Sequence, residues 1–574
     1  MGETADLIVE RDLPIPMDDG IVLRADVFRP QDQARVPVIM TMGPYGKGLA
    51  YQDGYAPEWE WLIRRHPEVL EGSSGRYMVW ETVDPERWVP FGYAVVRVDS
   101  RGAGRSPGIL DCWSPREARD YYLAIEWAAG QPWCSGRVGL CGVSYYAMNQ
   151  WHVAQLNPPH LAAIVPWDGA NDHYREVSRH GGILSNGFFE LWYPSRVLRM
   201  QHGKGHRGPW DRWLDEPAAG PETLSEEELA ANRTDLLGNM LAHPLDDQFH
   251  RSRSADFSKI TVPLLSAANW GGFGLHPRGN FTGFTESASR QKWLEVHGGR
   301  HEEWFYLPVG IDLQRRFLDH FLKGIDNGWD QEAPVLLFVR RPGERFQLRR
   351  EQAWPLERTR WTKLHLNADA LSLSWQPSPV ASRVTFDALG EGVAFSSPPL
   401  REETEVTGPL AAKLFLSSST SDADLFLTLQ AFSPEGEEVT FQGTLDPATP
   451  LAQGWLRASH REIDPVRSKP YQPYHPHVRA QPLVPHRVYE VDVEIWPTCI
   501  ILPPGYRLVL TVSGRDFARG AKGLDDLANR GCGPFLHTHP QDRPRSIFGG
   551  RTTLHTGPGH EAYLLLPIVP RGGS

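Results

Sequence analysis

Residues 136–147 read Gly-Arg-Val-Gly-Leu-Cys-Gly-Val-Ser-Tyr-Tyr-Ala, an apolar run between glycines that leads through Gly-x-Ser into residues compatible with a helix. A strand that turns so sharply into a helix holds its turning residue in a strained conformation, which small neighbours permit. The turn projects the serine hydroxyl from the sheet. Gly-x-Ser also arises by chance, and Tyr146 stands where the second glycine of Gly-x-Ser-x-Gly would fall. Because a buried strand precedes the motif, we predict Ser144 as a nucleophile.

Apolar runs of buried-strand length recur through the first half of the chain and alternate with helix-like or glycine-rich segments. This alternation is typical of an α/β fold with a parallel sheet and crossover helices. A further pair of strands is predicted at the amino terminus, turning at Asp18-Asp19-Gly20. Ligands bind at the carboxyl ends of strands in such sheets, so a site is expected where these runs end. The predicted core strands are residues 38–41, 94–99, 138–141, 161–166, 264–269 and 293–297.

The pattern of apolar and charged residues changes twice along the chain. After Asp172 there are charged helical stretches such as residues 225–229 and no clear strand, which predicts a helical cap insertion. An amphipathic stretch, residues 313–322, ends at the helix stop signal Lys323-Gly324. From about Trp354 onward the apolar and β-branched alternation predicts an all-β domain of sandwich or jelly-roll type. The predicted units are a first core segment (1–172), the cap (173–255), a second core segment (256–350) and the β domain (351–574).

Composition restricts the class of protein. The 574 residues carry 59 Lys+Arg against 70 Asp+Glu, a net charge of −11 with no basic run, which argues against a nucleic-acid or anionic-membrane partner. Residues 1–6 lack the basic and apolar regions of a secretory signal, and no stretch approaches the roughly 18 apolar residues of a membrane span. We therefore expect a cytoplasmic protein. Its cysteines are too scattered for a disulfide framework or a zinc site: Cys112, Cys134, Cys141, Cys499 and Cys532.

A serine hydroxyl is a weak nucleophile at neutral pH and needs a base that takes its proton. Of the 22 histidines, two follow the last predicted core strand, in Trp293-Leu294-Glu295-Val296-His297-Gly298-Gly299-Arg300-His301. His301 lies in the loop beyond the glycines and can reach toward Ser144, whereas His297 is closer to the strand. We predict His301 as the base and keep His297 as the alternative.

Several motifs together resemble the cocaine-esterase and X-Pro dipeptidyl-peptidase family of serine hydrolases. They are residues 142–145 (Gly-Val-Ser-Tyr), 43–46 (Gly-Pro-Tyr-Gly), 98–106, 316–324, 489–493 and 502–507. The resemblance covers nearly the whole chain and implies an α/β-hydrolase core, a helical cap and a carboxy-terminal jelly roll. It also implies that the phenol hydroxyl of Tyr45 and the backbone N–H of Tyr145 stabilise the oxyanion, which needs fixed donors where negative charge develops.

The sequence departs from that family at the acid. Relatives place an aspartate after the strand that corresponds to residues 264–269, but residues 269–276 read Asn-Trp-Gly-Gly-Phe-Gly-Leu-His. A carboxylate can orient the same imidazole from another strand end. We predict Asp168, which ends the preceding strand. Asp172 is expected to anchor the cap entrance, and Glu302 and Glu303 are expected to face the substrate.

Other side chains have weaker claims to a role. Trp192, Trp210 and Trp213 are expected to pack the cap or line a substrate pocket. The histidines of the β-domain loops lack cysteine or carboxylate partners at ligand spacing, so they are expected to form hydrogen bonds rather than bind metal. These histidines are His475, His477, His537 and His539.

The predicted function is a serine hydrolase that cleaves carboxylic esters, or amides, through an acyl-enzyme intermediate, with no metal and no organic cofactor. The first alternative is an X-Pro dipeptidyl aminopeptidase or an α-amino-acid ester hydrolase or acylase, which would need carboxylates to hold a substrate ammonium. The second is a catalytically silent binding scaffold. The expected partner is a small-molecule substrate, and the family resemblance is compatible with a homodimer.

Overall fold

The computed structural model describes residues 7–31, 35–519 and 533–570. Residues 1–6, on which the expectation about a secretory signal depends, lie outside these ranges, as do Cys532 and the outer ends of the first and last predicted units. Among the described residues, no helix combines the length and the apolar character needed to cross a lipid bilayer.

The first part of the core contains the predicted strands in the predicted order. The antiparallel pair at the amino terminus turns at residues 18–20, and the later strands pair in parallel in the order β2-β4-β3-β5-β6, with β2 antiparallel to β4. The strands are β1 (Leu7–Pro16), β2 (Val22–Pro30), β3 (Val36–Gly43), β4 (Ala94–Asp99), β5 (Cys134–Val143) and β6 (Leu161–Trp167). The helices are α1 (Tyr51–Gly54), α2 (Ala56–Arg65), α3 (Pro85–Trp88), α4 (Pro115–Ala129) and α5 (Tyr145–Ala154).

Helix α4 shows how the local sequence sets an element that supports the site. Pro115 occupies the first turn, where no backbone donor is needed, and the Ser114 side chain accepts the N–H of Glu117. The buried residues of α4 include Tyr121, Ala124 and Ile125, which pack in one cluster with strands of the sheet. The helix therefore lies against the sheet beside α5, which follows Ser144.

The segment after β6 is helical, with two very short strand pairs. It contains α6 (Gly187–Trp192), α7 (Glu226–Ala231), α8 (Leu236–Ala242) and α9 (Gln248–Arg251), and the pairs β7 (Arg179–His180) with β8 (Ile183–Leu184) and β9 (Trp210–Asp211) with β10 (Glu216–Pro217). Wider π-helical turns span His173–Ser178 and Tyr193–Val197. Ser225 begins α7 with a capping box that it shares with Glu228.

The second part of the core completes the parallel sheet. Strands β11 (Leu264–Asn269) and β12 (Lys292–His297) extend it beyond β6, and β13 (Val335–Arg341) continues it in parallel before an antiparallel partner, β14 (Arg345–Glu351). Helices α10 (Pro277–Glu286), α11 (Glu303–Tyr306) and α12 (Pro308–Lys323) belong to this part. The predicted amphipathic helix is confirmed in α12, which ends at Gly324 with a left-handed φ of 70°.

The carboxy-terminal domain is all-β, as predicted. Its strands are β15 (Arg360–Asn367), β16 (Ser372–Ser374), β17 (Ser382–Asp387), β18 (Val393–Ser396), β19 (Thr404–Ser418), β20 (Asp424–Phe432), β21 (Ala452–Arg457), β22 (Tyr489–Leu502), β23 (Arg507–Ser513), β24 (Arg551–Thr556) and β25 (Tyr563–Val569), with one helical turn, α13 (Arg545–Phe548). The pairing runs β19-β22-β21-β20-β23-β18-β16-β15-β25 and returns to β19. The strands thus close into a ring and do not form a clear jelly roll, which corrects that part of the prediction.

The register of the sheet fixes where the site lies. Trp167, the last residue of β6, is paired with Val143 on one side and with Ala267 on the other. Asn269 is paired with His297 at the end of β12. The chain segments that follow β5, β6, β11 and β12 therefore leave the same edge of the sheet, which is where ligands of open α/β sheets bind.

Candidate active site

Ser144 lies at a strained turn between β5 and α5. Its φ is +58° and its ψ is −115°, values that a non-glycine residue rarely adopts. The backbone N–H of Ser144 donates to the carbonyl of Trp167 at 2.9 Å, which ties the turn to the neighbouring strand. A Cβ at Gly142 would lie 2.7 Å from Cβ of Tyr146, so only glycine fits at the start of this motif. The predicted projection of the serine from the end of β5 is confirmed.

Tyr146 can replace the second glycine of the motif because the space is freed elsewhere. A Cβ at Gly43, the last residue of β3, would lie 2.6 Å from Cε1 of Tyr146. The tyrosine ring thus occupies the volume that a side chain at residue 43 would fill. The departure from Gly-x-Ser-x-Gly is compensated by a glycine on the neighbouring strand.

The histidine in contact with Ser144 is His276. Oγ of Ser144 lies 3.0 Å from Nε2 of His276, within hydrogen-bond distance. His276 precedes α10 in the turn after β11, and it is 4% exposed. Its other nitrogen, Nδ1, is buried and has no hydrogen-bond partner among the described residues.

His301, the predicted base, lies beside this pair and binds two carboxylates. Its Nδ1 is 2.9 Å from Oδ2 of Asp168, and its Nε2 is 3.0 Å from Oε1 of Glu81. The structure thus brings His301 and Asp168 together but directs the second nitrogen of His301 to Glu81 rather than to Ser144. The rings of His276 and His301 stack with centroids 4.9 Å apart and planes inclined by 25°.

The surroundings of His276 and His301 give the two imidazoles different pKa values. Burial, reinforced by the charge of His301, lowers the pKa of His276 to about 3. Burial also opposes a charge on His301, but the hydrogen bonds and charges of Asp168 and Glu81 outweigh it and raise the pKa of His301 to about 10. At neutral pH the site therefore holds a neutral imidazole against the serine and a protonated imidazole behind it.

His297, the alternative base, belongs to a separate pair. Its Nδ1 lies 2.8 Å from Oε2 of Glu295, and its Nε2 is 4.0 Å from Oδ1 of Asp168. Both residues are fully buried behind Asp168 in the sheet. The structure therefore places His297 next to the carboxylate of Asp168 and not in contact with the serine hydroxyl.

Backbone strain is concentrated in this site. Besides Ser144, both carboxylates that bind His301 have positive φ values, +52° for Asp168 and +62° for Glu81. Such conformations cost on the order of 1–3 kcal/mol each and persist where surrounding contacts fix them, often at functional sites. The three strained residues, Ser144, Asp168 and Glu81, all contact His276 or His301.

Of the predicted oxyanion donors, Tyr45 lines the same cavity as Ser144, and Tyr145 follows Ser144 in the chain. The hydroxyl of Tyr45 accepts a hydrogen bond from Nε1 of Trp192 at 3.0 Å, which leaves its own hydrogen available for another acceptor. Tyr145 is the first residue of α5, where backbone N–H groups have no acceptor within the helix. The rings of Tyr45 and Tyr145 contact each other edge to face at 5.9 Å.

A cavity of about 470 Å³ opens over Ser144, Tyr45, His276, His301 and Glu81. Both core segments, the cap segment and the β domain line it. Phe188, Leu191 and Trp192 come from the cap, and Gln442, Thr444, Leu445, Pro447 and Pro534 from the β domain. Charged groups at its wall are Glu58, Arg196, Arg300 and Glu302. This volume matches the range in which proteins hold small molecules.

Two of the remaining carboxylates have clear partners outside the cavity. Asp172 accepts the backbone N–H groups of Tyr174 and Arg175 and pairs with the Arg175 guanidinium at 2.9 Å, which confirms its structural role at the cap entrance. Glu303, expected to face the substrate, instead lies 2.8 Å from Nε2 of His66. Glu302 does line the cavity.

Asp168, His276 and His301 are also the residues that come closest to a metal site in the described part of the chain, with candidate ligand atoms within 4.8 Å of one another. Both nitrogens of His301 are already bound to carboxylates, so a metal would have to displace one of those bonds.

The β-domain histidines form hydrogen bonds, as predicted from the sequence. The partner groups are His460 for His477, His180 and Asp516 for His537, backbone carbonyls for His475 and the Gln541 N–H for His539.

Comparison with known proteins identifies the family. Residues 19–303 match X-Pro dipeptidyl-peptidase (S15 family), and residues 327–565 match the X-Pro dipeptidyl-peptidase C-terminal non-catalytic domain. The crystal structure of a CocE/NonD family hydrolase from Staphylococcus aureus superimposes with a TM-score of 0.84 and 33% sequence identity, covering 98% of this chain and 94% of that chain. The chain belongs to the CocE/NonD family of hydrolases.

Two further relatives of this CocE/NonD chain are more distant. The cocaine esterase of a Rhodococcus species is 24% identical and covers 98% of this chain and 99% of its own. An α-amino acid ester hydrolase shares the fold, with a TM-score of 0.68 and 16% identity, covering 99% of this chain and 97% of its own. The predicted resemblance to the cocaine-esterase and X-Pro dipeptidyl-peptidase family is confirmed, and the relatives span esterases and peptidases.

The turn in which the CocE/NonD resemblance implies an aspartate lies against the β domain. A Cβ at Gly271 would lie 2.4 Å from Cα of Gly443 in the β domain, because the two backbones touch. The N–H of Thr444 donates to the carbonyl of Gly271 at 3.3 Å at the same contact. Close approach of the β domain therefore requires glycine at residue 271, and at Gly272 a Cβ would fit tightly, 3.0 Å from Cδ of Pro277.

Sequence reasoning missed two residues of this CocE/NonD site. His276 ends residues 269–276, where the family resemblance implies an acid and gives no role to a histidine. Glu81 lies 220 residues before its partner His301, in a segment outside any predicted strand or helix. No periodicity or motif marks such a residue.

Proposed function

We propose that this CocE/NonD family member is a serine hydrolase that cleaves carboxylic esters through an acyl-enzyme intermediate on Ser144. The observation that carries the proposal is a strained serine whose Oγ lies 3.0 Å from an imidazole nitrogen and borders a cavity of about 470 Å³. A nucleophile and a base within hydrogen-bond distance are what covalent catalysis by serine requires.

In the first step Oγ of Ser144 forms a bond to the substrate carbonyl carbon, and its proton passes to a histidine nitrogen. The π electrons of the carbonyl move onto its oxygen, which accepts hydrogen bonds from the Tyr45 hydroxyl and the Tyr145 N–H. The intermediate then expels the alcohol, which takes the proton from the histidine. Water repeats the sequence on the acyl-serine and releases the acid. The pair of His301 and Asp168, 2.9 Å apart, supports the proton transfer.

The cavity also favours a second candidate, a hydrolase for substrates with a free amino group. Glu302 lies in the cavity wall with Oε1 buried and without a hydrogen-bond partner among the described residues, and Glu58 lines the same wall. Buried carboxylates are normally paired, so an ammonium group of a bound substrate would satisfy Glu302. This candidate covers α-amino-acid esters and amides, and peptides from which an amino-terminal X-Pro dipeptide is released.

Labelling and turnover test the proposal together. The wild-type protein should hydrolyse p-nitrophenyl acetate, and a fluorophosphonate should add to Ser144, as located by peptide mass spectrometry. Ser144→Ala is the matched control and should lose both signals. A wild-type protein that neither turns over esters nor takes the label would overturn the proposal and leave a binding scaffold. Faster cleavage of alanyl-prolyl-p-nitroanilide than of the acetate ester would identify a peptidase.

A further inference from the structure

Two imidazoles compete for one proton in this site, and their hydrogen bonds differ in kind. His276 touches the serine hydroxyl with Nε2, and its Nδ1 has no partner among the described residues. His301 touches a carboxylate with each of its nitrogens. Both rings are only 4% exposed, so solvent does little to screen these hydrogen bonds and charges.

The bonds of His301 leave it without a lone pair for the serine proton. Ionised carboxylates only accept hydrogen bonds, so a ring that binds one at each nitrogen donates from both and is an imidazolium. To act as a base, His301 would have to lose a proton to Asp168 or Glu81 and turn Nε2 away from Glu81. His276 already presents a nitrogen to Oγ of Ser144 at 3.0 Å.

The charges around His276 compensate a proton on it. Asp168 and Glu81 carry two negative charges against the one positive charge of His301, so one negative charge is in excess beside the His276 ring. Oδ1 of Asp168 and Oε2 of Glu81 are buried with no hydrogen-bond partner among the described residues. His297, whose Nε2 lies 4.0 Å from Oδ1 of Asp168, is itself paired with Glu295, so that pair does not cancel the excess. A cation that forms on His276 during the reaction restores neutrality in a low-dielectric site, where opposite charges attract strongly.

We propose that His276, and not His301, takes the proton of Ser144, and that Asp168, His301 and Glu81 form a charged clamp that supports it. The inference rests on the proposed function and specifies its base. As Oγ bonds to the carbonyl carbon, the O–H bond of Ser144 breaks and the proton joins Nε2 of His276. The same proton passes to the departing alcohol when its C–O bond breaks. His276 is the catalytic residue in this scheme, and the three clamp residues are positioning residues.

The two schemes predict opposite pH profiles for the wild-type protein. The groups around His276 are Tyr45 after β3, Glu81 before α3, Ser144 before α5, Asp168 after β6, and His301 with Glu302 after β12, with the pair of His297 and Glu295 behind Asp168. With a pKa lowered to about 3, His276 is neutral and competent throughout the neutral and mildly acidic range. With a pKa raised to about 10, His301 would become a free base only in alkali.

The first experiment is the profile of kcat/KM for a neutral ester between pH 4.5 and 9.5, which reports groups of the free enzyme. We expect a plateau that persists below pH 6. A rate that climbs tenfold per pH unit through neutrality would overturn the proposal. This measurement needs no variant, so it distinguishes His276 from His301 as the base even if a substitution prevents folding.

The second experiment compares His276→Gln with His301→Gln. We expect His276→Gln to lose about 10³-fold or more in kcat, as removal of a proton acceptor does in serine hydrolases. His301→Gln should lose less and should move the acid limb of the profile to higher pH, because two unbalanced carboxylates then raise the pKa of His276. His152→Gln, which removes a buried histidine of α5 outside the cavity lining, is the matched control for folding.

The reverse ranking, with His301→Gln the more damaging variant and no shift of the acid limb, would overturn the inference. Its failure is distinguishable from failure of the proposed function. A wild-type protein that labels at Ser144 and cleaves esters while His276→Gln remains active would refute only the choice of base. Glu81→Gln added to His301→Gln tests the clamp, because removing one negative charge near His276 should move the raised acid limb of His301→Gln back to lower pH.

Discussion

The hydroxyl of Tyr145, the residue after the proposed nucleophile, donates to the carboxylate of Glu117 at 2.8 Å. That carboxylate is buried in α4 and also accepts from Oγ of Ser100 at 2.6 Å and from the N–H of Trp113 at 2.8 Å. One acid thus ties the start of α5 to the loop after β4 and to the segment before α4. The position of the Tyr145 N–H, a proposed oxyanion donor, depends on this tie.

Glu117→Ala is expected to destabilise the protein and to lower its kcat. Loss of the carboxylate leaves the buried hydroxyls of Tyr145 and Ser100 without this acceptor, at a cost of about 1–3 kcal/mol each before relaxation, and leaves the Trp113 N–H with the longer contact of 3.3 Å to the Tyr145 hydroxyl. The free energy of unfolding should fall by a few kcal/mol in urea titrations, and kcat should fall more than KM rises. Glu126→Gln on the same helix, whose carboxylate pairs with the exposed His160, is the control and should change little. An unchanged kcat in Glu117→Ala would show that Glu117 does not position the Tyr145 N–H for catalysis.

Tyr45→Phe is expected to lower kcat by about 10²–10³-fold, the usual cost of one oxyanion donor, with little effect on KM or folding. The Trp192 indole that donates to Tyr45 lines the cavity, so it can turn to another acceptor. Tyr55→Phe is the matched control, because the Tyr55 ring lines the same cavity and stacks on Trp80 at 4.4 Å. Equal rates for the two variants in initial-rate assays would remove Tyr45 from the oxyanion site.

The core strands could be predicted because each is a short apolar run between turn residues, and Ser144 and Asp168 could be predicted because they end two of them. Local sequence is enough for such assignments. The ring of β strands could not be predicted, because strand pairing over long separations leaves no local pattern. The contact between Ser144 and His276 spans 132 residues and depends on how the turn after β11 packs under the β domain. The family pattern pointed to an acid in that turn, and the close backbone contact of Gly271 with Gly443 excludes a side chain at residue 271.

Gly43→Ala is expected to cost about 1–3 kcal/mol in the free energy of unfolding, the usual range for an overpacked core. The added methyl group would meet the Tyr146 ring at 2.6 Å. In a Tyr146→Ala background the same substitution should cost much less, so a double-mutant cycle measures the coupling. Gly130→Ala, at a helix end where the nearest atoms lie 3.6 Å from the new Cβ, is the control. Additive costs in the cycle would contradict the proposed compensation.

Acid should destabilise the fold through paired, buried histidines. His460 lies 2.9 Å from His477, and burial lowers the pKa of His460 to about 3. Its folded pKa is below the value near 6.5 of the unfolded chain, so the stability it contributes is complete above pH 6.5 and is lost as pH falls.

At pH 5 this loss amounts to about 2 kcal/mol for His460, obtained from 1.36 kcal/mol per unit of pH between 6.5 and 5. Chemical denaturation between pH 8 and 5 measures it, and His460→Gln should flatten the dependence relative to the wild type. His206→Gln, in which the residue replaced is exposed, should leave the dependence as it is. A His460→Gln profile parallel to that of the wild type would contradict the assignment.

Glu302 decides between neutral and amine-bearing substrates. Burial raises the pKa of Glu302 to about 7, and a bound ammonium would stabilise its ionised form. If the amine-bearing class is the natural one, Glu302→Gln should lower kcat/KM for an alanine ester about 10–100-fold, the worth of a charged hydrogen bond of about 1.5–3 kcal/mol, and leave a propionate ester almost unaffected. Glu303→Gln is the matched control, because that neighbouring carboxylate binds His66 instead. Equal losses for the two esters would assign Glu302 to the structure of the cavity wall and leave the neutral ester as the favoured substrate.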